Sequence, residues 1–252
     1  MIDIVDHGEV RELRMNRPPA NALSPEFVTE LLRAVEAAPQ QEARAIVLSG
    51  TPGMFSAGLD VPLLLTLDRS LMTTFWREFY TFMSALAASP IPIAAAITGH
   101  APAGGTVLAL FCDWRIAAEG DWKIGLNEVQ VGLTLPPVIY CALHRLVGTR
   151  HAQSLAVRGL LIAPAQAATL GLVDEVVPAD QVVSRAVDWC EGLVKLPRTA
   201  MEFTRRKARA DLVGYFQHGT EREIEEVSAS WWDEETQTAL RQMVNRLAKK
   251  KV

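Results

Sequence analysis

Short apolar runs alternate along most of the chain with longer segments in which apolar residues recur every three or four positions. The runs at 45–49, 93–97 and 114–118 are short and closely bounded, which predicts buried β-strands. Alternating residues on either side of His7-Gly8 predict an opening β-hairpin, and 173–177 predicts a further strand.

Helical segments follow these strands. Ser24, Pro25 and Glu26 provide an N-cap, a first-turn proline and a first-turn acid, so a helix is expected to begin there. Gly148 is expected to end a helix that Pro136-Pro137 opens, and Asp180 is expected to cap another. Helical spacing thus predicts helices over 70–88, 106–111, 137–147, 164–170 and 181–194.

The strand pattern ends near Pro197, and the remaining sequence has helical spacing only. Three helices are predicted there, near 198–212, 217–230 and 233–249. We therefore predict an α/β fold in two parts. Residues 1–195 form a core of repeated strand-strand-helix units, and residues 196–252 form a C-terminal helical region.

Composition narrows the function classes. A net charge of −4 gives no electrostatic case for binding nucleic acid or an anionic membrane. The three cysteines, Cys112, Cys141 and Cys190, lie among apolar residues and are interpreted as small core residues of a reducing compartment. No apolar segment approaches membrane-spanning length, and the first residues lack a signal-peptide pattern. A cytoplasmic protein is expected.

The stretch from Thr98 to Asp113 carries the first candidate chemistry. A buried strand feeds, through Gly104-Gly105, a helix whose first N–H groups are free and unobstructed by side chains. Such a turn can hold a phosphate, a carboxylate or an oxyanion. Glycines at a strand-to-helix turn also serve turn geometry alone, and that alternative stays open on this stretch by itself.

Two more stretches strengthen the hypothesis of a ligand-binding or catalytic site. Residues 53–60 form a loop of small residues whose backbone can approach a ligand closely, or an ordinary surface loop. Residues 124–133 place Glu128 among apolar residues between glycines. Glu128 is either a solvated surface group or, in an apolar pocket, a general base with a raised pKa.

Together these stretches resemble the crotonase (enoyl-CoA hydratase/isomerase) superfamily. The motifs are FSAGLD at 55–60, GHAPAGG at 99–105 and IGLNEVQVGL at 124–133, in that order and spacing. Supporting matches are NRP, NAL, ATLGLV and VVP at 16–18, 21–23, 168–173 and 176–178. The resemblance covers essentially the whole chain, and PAGG and GLNE are more similar to mitochondrial-type Δ3,Δ2-enoyl-CoA isomerases than to hydratases.

The resemblance implies an acyl-CoA site in which two backbone N–H groups stabilise an enolate. In this chain those groups fall on Leu59 and Gly104. Glu128 is the implied acid/base. Hydratases carry a second catalytic glutamate where this chain has Val107, which departs from the hydratase pattern and agrees with the isomerases. The further implied substrate-binding residues, with the loop at Ala57 beside the CoA adenine, are Ala20, Ala57, Asp60 and Asn127.

The function that the resemblance implies is an enoyl-CoA delta isomerase of fatty acid β-oxidation, which moves a 3-enoyl-CoA double bond to C2. The resemblance implies that the reaction uses neither a metal nor a redox cofactor. It also implies a homotrimer or a dimer of trimers, assembled through the C-terminal helices. The alternatives are another crotonase reaction, namely weak hydration or thioester hydrolysis, and an acyl-CoA-binding paralogue without catalysis.

Other polar and aromatic groups are assigned to packing or to the surface. His100, His144 and His151 lack a partner nucleophile or ligand set. The basic run at 205–209 is interpreted as a solvated helix face, given the acidic balance of the chain. Trp231-Trp232 supplies apolar area that either a subunit contact or the core of the same chain could bury.

Overall fold

The structure is a computed structural model that describes residues 1–217 and 219–249. Residues 250–252, the end of the predicted helical region, lie outside the described residues, as does residue 218.

The elements follow the order expected from the sequence. The strands are β1 Ile2–His7, β2 Val10–Met15, β3 Ala45–Ser49, β4 Gly53–Met54, β5 Ile93–Ile97, β6 Gly99–Pro102, β7 Trp114–Ala118, β8 Ile124–Gly125 and β9 Glu175–Val177. The helices are α1 Pro25–Ala37, α2 Val61–Leu64, α3 Arg69–Ala88, α4 Gly104–Leu110, α5 Pro137–Arg158, α6 Pro164–Thr169, α7 Val182–Val194, α8 Arg198–Ala208, α9 Ala210–Gly214, α10 Thr220–Ser230 and α11 Glu234–Lys249. Short 3-10 turns cover Ala38–Gln41, Glu128–Val131 and Ala179–Gln181.

A six-stranded sheet in the order β1-β2-β3-β5-β7-β9 forms the centre. The predicted hairpin β1–β2 is antiparallel, and every other neighbouring pair in this sheet is parallel. Strands β3 and β5 are buried along their whole length because α7 covers one face of the sheet and the larger core covers the other. Burial on both faces is why these strands are continuous apolar runs without alternation.

A second, small sheet in the order β4-β6-β8 lies beyond the carboxyl ends of the first. Each of its strands follows a long strand (β3, β5 or β7), so the predicted strand-strand-helix repeat is confirmed for this part of the chain. Between the buried strand and the helix of the 98–113 stretch, where the sequence predicts no strand, Gly99–Pro102 forms β6. A Cβ on Gly99 would lie 2.0 Å from the Gly53 carbonyl carbon, so only glycine permits the β4–β6 pairing there.

Three helical regions differ from the prediction. The single helix predicted near 198–212 is two helices, α8 and α9, with Arg209 at φ −110° and ψ 6° between them, so the described C-terminal region has four helices and not three. Gly148 adopts φ 71°, ψ 169° and breaks α5, but a second helical segment continues to Arg158, so the helical region does not end at residue 147. Asp180 does not cap α7. It lies inside the 3-10 turn that the Gln181 N–H closes on the Pro178 carbonyl at 2.9 Å, and Gln181 takes the cap position instead.

The C-terminal helices pack onto the core. Trp231 is fully buried and meets Trp76 of α3 edge to face, with ring centroids 6.5 Å apart, so the intrachain alternative holds for this side chain. Cys112 and Cys190 are buried as predicted, and Cys141 is half-buried. Among the described residues no helix is long and apolar enough to cross a membrane.

The basic run at 205–209 is only in part the predicted solvated face. Arg206 and Lys207 are exposed, whereas Arg205 and Arg209 turn inward to the Asp113 carboxylate at 2.8 and 3.0 Å. The prediction was wrong for these two arginines, because their partner lies on the core and leaves no trace in the local charge pattern.

Candidate active site

A cavity of about 300 Å³ lies where the small sheet, α3, α4 and α11 meet. Its walls are mostly apolar. They are formed by Ala57, Leu59, Val61, Trp76, Phe79, Pro102, Ala103, Gly104, Val107, Asn127, Glu128, Val131, Leu133, Thr134, Pro136, Ile139, Leu161, Met243 and Leu247. Among these residues Glu128 alone has an ionisable side chain.

The backbone at the start of α4 is held in an unusual conformation. Ala103 has φ 48° and ψ −120°, a region that glycine favours and that costs a residue with a side chain about 1–3 kcal/mol. Two hydrogen bonds hold it: the Ala103 N–H donates to the Gly125 carbonyl at 2.8 Å, and its own carbonyl accepts from the Val107 N–H at 3.0 Å. The Gly104 N–H has no acceptor among the described residues and lies at the cavity wall.

The loop of residues 56–60 packs directly on this helix start. Gly58 has φ 84°, and a Cβ there would lie 2.8 Å from the Gly104 nitrogen. On either side of Leu59 the backbone pairs with Leu23, which donates to the Gly58 carbonyl at 2.8 Å and accepts from the Asp60 N–H at 3.1 Å. The Leu59 N–H itself has no acceptor in the described chain, so the cavity wall carries two unused backbone donors.

Glu128 opens the 3-10 turn that follows β8. Its Oε2 atom is buried and has no hydrogen-bond partner among the described residues. Removal from water disfavours the charged carboxylate, so burial raises the pKa of Glu128 to about 7, while a bond from its own N–H opposes the shift. A carboxyl group with that pKa can both accept and return a proton near neutral pH.

Contacts at both ends keep the Glu128 turn in place. The Gln130 Nε2 atom donates to the Gly159 carbonyl at 2.8 Å, and the Thr236 hydroxyl of α11 donates to the Gly132 carbonyl at 2.7 Å. Gly159 and Gly132, at φ 59° and 78°, adopt a backbone conformation that favours glycine, and a Cβ would make close contacts of 2.8 Å with the Val129 side chain and 3.1 Å with the Thr236 backbone.

Six of the eight predicted site residues come together at the cavity: Ala57, Leu59, Gly104, Val107, Asn127 and Glu128. Ala20 and Asp60 do not line it. The Ala20 carbonyl supports the loop by accepting from the Ala57 N–H at 2.9 Å. Asp60 pairs with Arg17 at 2.7 Å and caps α2 through the Leu63 N–H at 3.3 Å.

Several wall residues had not been singled out in the sequence. Trp76 and Phe79 come from α3, Ile139 from α5, and Met243 and Leu247 from α11. Helical spacing identifies the apolar face of each helix, but it does not distinguish a face that lines a cavity from one that lines a packed core. The cavity wall therefore draws on both predicted parts of the chain.

His100, His144 and His151, which the sequence assigns to packing or to the surface, do not line the cavity. His100 accepts from the Lys123 N–H at 3.1 Å and packs edge to face on Trp122, and His144 contacts the Thr149 hydroxyl at 2.9 Å. Across the described residues no group of acidic, histidine and cysteine side chains has the arrangement of a metal site.

The amino-acid sequence is similar to those of known enzymes, and the matches agree on one family. The profile of the enoyl-CoA hydratase/isomerase family matches residues 6–247. The human mitochondrial enoyl-CoA delta isomerase 1 is 36% identical over 80% of this chain and 68% of its own length. A probable enoyl-CoA hydratase from Mycobacterium avium is 36% identical over 75% of this chain and 74% of its own.

Solved structures show the same similarity. The crystal structure of human mitochondrial delta3-delta2-enoyl-CoA isomerase superposes with a TM-score of 0.95 at 30% identity, and covers 100% of this chain and 99% of that one. An enoyl-CoA hydratase/isomerase from Mycobacterium paratuberculosis gives a TM-score of 0.88 at 26% identity, with 96% and 97% covered.

Proposed function

Because the chain belongs to the enoyl-CoA hydratase/isomerase family, with the crotonase fold expected from its motifs, we propose that it is a Δ3,Δ2-enoyl-CoA isomerase of fatty acid β-oxidation. The observation that carries the proposal is that, among the described wall residues, Glu128 alone is ionisable and the others are mostly apolar. Val107 stands where the resemblance implies the second glutamate of a hydratase.

The reaction needs one proton shuttle and one site for negative charge. Glu128 takes a proton from C2 of the 3-enoyl thioester, and the electron pair of that C–H bond moves into a dienolate. The Leu59 and Gly104 N–H groups then stabilise the charge on the thioester oxygen; one such donor is typically worth about 10²–10³ in rate. Glu128 returns the proton to C4, so the double bond forms between C2 and C3 and atoms and charge balance.

Val107 supports isomerisation over hydration. It is buried in the first turn of α4 at the cavity wall. Hydration needs a water molecule activated at C3 and a proton delivered to C2, work that two carboxyl groups usually share. An apolar side chain at this position disfavours water there. The reaction transfers no electrons to an acceptor, and the Leu59 and Gly104 N–H groups take the role that a Lewis acid would have at the thioester oxygen. We therefore propose that it needs neither a redox cofactor nor a metal.

The test is to supply 3-enoyl-CoA and 2-enoyl-CoA separately and to follow conjugated and hydrated products. We expect 2-trans-enoyl-CoA from the first substrate and little 3-hydroxyacyl-CoA from the second. Faster hydration than isomerisation would favour the activity for which the mycobacterial relative is named, and release of free CoA would indicate thioester hydrolysis. Binding without turnover would indicate a non-catalytic paralogue.

We further propose a homotrimer, or a dimer of such trimers, for which light scattering of the purified protein would give the mass. The expected cytoplasmic location stays a prediction, and the human relative is named as a mitochondrial protein. Expression with a fluorescent tag in the source cell would locate the protein.

A further inference from the structure

In the basic run at 205–209, the inward-facing Arg205 and Arg209 lie near the carboxyl ends of α3 and α4, two helices that line the cavity. Arg209, at the junction of α8 and α9, is buried. Its Nη2 atom donates to the Phe111 carbonyl at 2.6 Å and Nη1 to the Cys112 carbonyl at 3.3 Å, both just after α4. Its Nε atom donates to the Ala87 carbonyl near the end of α3 at 3.1 Å.

Asp113 provides the compensating charge. Its Oδ1 atom accepts from Arg209 at 3.0 Å and from Arg205 at 2.9 Å, and its Oδ2 atom accepts from Arg205 at 2.8 Å. Its backbone N–H donates to the Ile93 carbonyl at 2.7 Å, and the Ile93 N–H donates to Oδ2 at 2.8 Å. The end of α4 is thereby joined to the first residue of β5.

Arg115 holds the same helix end from the sheet side. It donates to the Cys112 carbonyl at 2.9 Å and pairs with Asp174 at 2.7 Å. The carbonyl groups that follow a helix carry partial negative charge and need donors when they are buried. Two guanidinium groups satisfy them here, and the fixed fork of arginine allows one side chain to hold several carbonyls at once.

Helix α4 connects the cluster of Arg115, Arg205, Arg209 and Asp113 to the cavity. It is seven residues long and entirely buried, with Gly104 at its first position. At about 1.5 Å per residue, its two ends are roughly 10 Å apart, and hydrogen bonds along so short a helix make it move as one body. A shift of the carboxyl end therefore displaces the Gly104 N–H.

We propose that Arg209 is a positioning residue for the reaction: from the C-terminal region it fixes the far ends of α3 and α4, and so sets the Gly104 N–H against the thioester oxygen. The inference rests on the proposed function, which places that oxygen at Gly104. Arg209 touches no wall residue of the cavity among the contacts above and acts through the helix.

The test compares two ligands that differ in the carbonyl alone. Octanoyl-CoA carries the thioester oxygen, and S-octyl-CoA, a thioether, has a methylene group in its place. Neither has a double bond to isomerise. Isothermal titration calorimetry with the wild type, Arg209→Met and Arg209→Lys gives the ratio of the two dissociation constants. Arg11→Met is the matched control, since half-buried Arg11 forms a two-pronged bond with Asp6 of the opening hairpin at 2.7 and 3.1 Å.

We expect Arg209→Met to weaken thioester binding about tenfold with thioether binding nearly unchanged, and to lower kcat by about tenfold to a hundredfold, as a small misplacement of a catalytic donor does. Arg209→Lys keeps the charge but loses the planar fork, so its thioester affinity and its kcat should lie between those of the wild type and of Arg209→Met. Arg11→Met should keep the wild-type ratio.

An equal loss for both ligands, or no loss, would overturn the inference, because a purely structural role does not distinguish a carbonyl from a methylene. If Arg209→Met does not fold, an unchanged ratio in Arg209→Lys would overturn it as well. A wild type that prefers the thioester but does not isomerise would contradict the proposed reaction alone. A wild type that isomerises without that preference would overturn the inference alone, and one that does neither would contradict both.

Discussion

At the scale of single residues, the buried carboxyl group of Glu128 links activity to stability. A base must be deprotonated, so kcat/KM should rise with pH through about 7, the pKa to which burial raises Glu128. Glu128→Gln should nearly abolish isomerisation and leave binding of acyl-CoA within a few-fold. A pH–rate profile and a titration of the variant measure both effects. Near-normal turnover in Glu128→Gln would remove this residue from the mechanism.

The same substitution should change the pH dependence of stability. The folded protein holds a proton on Glu128 more tightly than the unfolded chain does. The resulting stabilisation is complete below the ordinary pKa of 4.5 and is lost as the pH rises through about 7, at about 1.4 kcal/mol per pKa unit, or roughly 3 kcal/mol in all. The free energy of unfolding of Glu128→Gln, measured relative to that of the wild type by urea unfolding, should therefore be higher at pH 8 than at pH 4. Equal differences at the two pH values would contradict the burial argument.

Val107 is the residue that separates isomerisation from hydration in the proposed mechanism. Val107→Glu would add a second carboxyl group to an apolar cavity, where two negative charges cannot both form cheaply, so one group should keep a proton and become an acid. We expect slow but measurable hydration of 2-enoyl-CoA and a partial loss of isomerisation. The comparison is 3-hydroxyacyl-CoA formation at equal folded concentration, with Val107→Gln as the uncharged control. Equal hydration by both variants would exclude an acid role.

At the scale of elements, the close approach of the 56–60 loop to the start of α4 builds the site. Gly58→Ala should lower kcat about a hundredfold, because its methyl group would lie 2.8 Å from the Gly104 nitrogen and φ is 84°. Far-UV circular dichroism should stay near that of the wild type. Gly192→Ala in α7 is the control, since a Cβ there meets nothing within 4 Å, and it should be neutral or slightly stabilising. An active Gly58→Ala enzyme would place the oxyanion site elsewhere.

The elements differ in how far the sequence could predict them. Strands β3, β5 and β7 were predictable because four or five consecutive buried positions form a short, closely bounded run. Helices α1, α3 and α7 were predictable because several turns give a clear helical period. Strands β4 and β8 have two residues each, too few for any period, and they form because their backbones pair with β6. The second half of α5 was missed because a glycine normally ends a helix, whereas here it only bends the path.

The candidate site was predictable where it depends on local sequence. Glycines at 58 and 104 and a glutamate among apolar residues are visible in the chain itself. Other parts were not predictable, because they depend on which surfaces meet after folding. These parts are the contacts of Arg209 and the cavity-wall positions of Trp76, Met243 and Leu247. Residues 96 positions apart, such as Asp113 and Arg209, have no local signal of their pairing.

At the scale of the whole molecule, the C-terminal helices complete the hydrophobic core. Trp231→Ala should cost about 3–5 kcal/mol, because it leaves a large cavity against Trp76. Trp232→Ala is the control within the same turn. Trp232 is half-buried, with Arg69 over its ring at 5.0 Å, and should cost about 1 kcal/mol or less. Urea unfolding gives both values, and a cost of about 1 kcal/mol or less for Trp231→Ala would show that this part of the chain adds little to the core.

The position of Trp76 gives the protein an optical reporter of its own. Trp76 lines the cavity, and its indole ring also packs against Trp231 at an interplanar angle of 73°. Indole emission shifts with the polarity of its surroundings, so an acyl chain that displaces solvent from the cavity should move the emission of Trp76 to shorter wavelength. Ligand entry can then be timed in a stopped-flow instrument on the unlabelled protein, separately from the chemical step at Glu128.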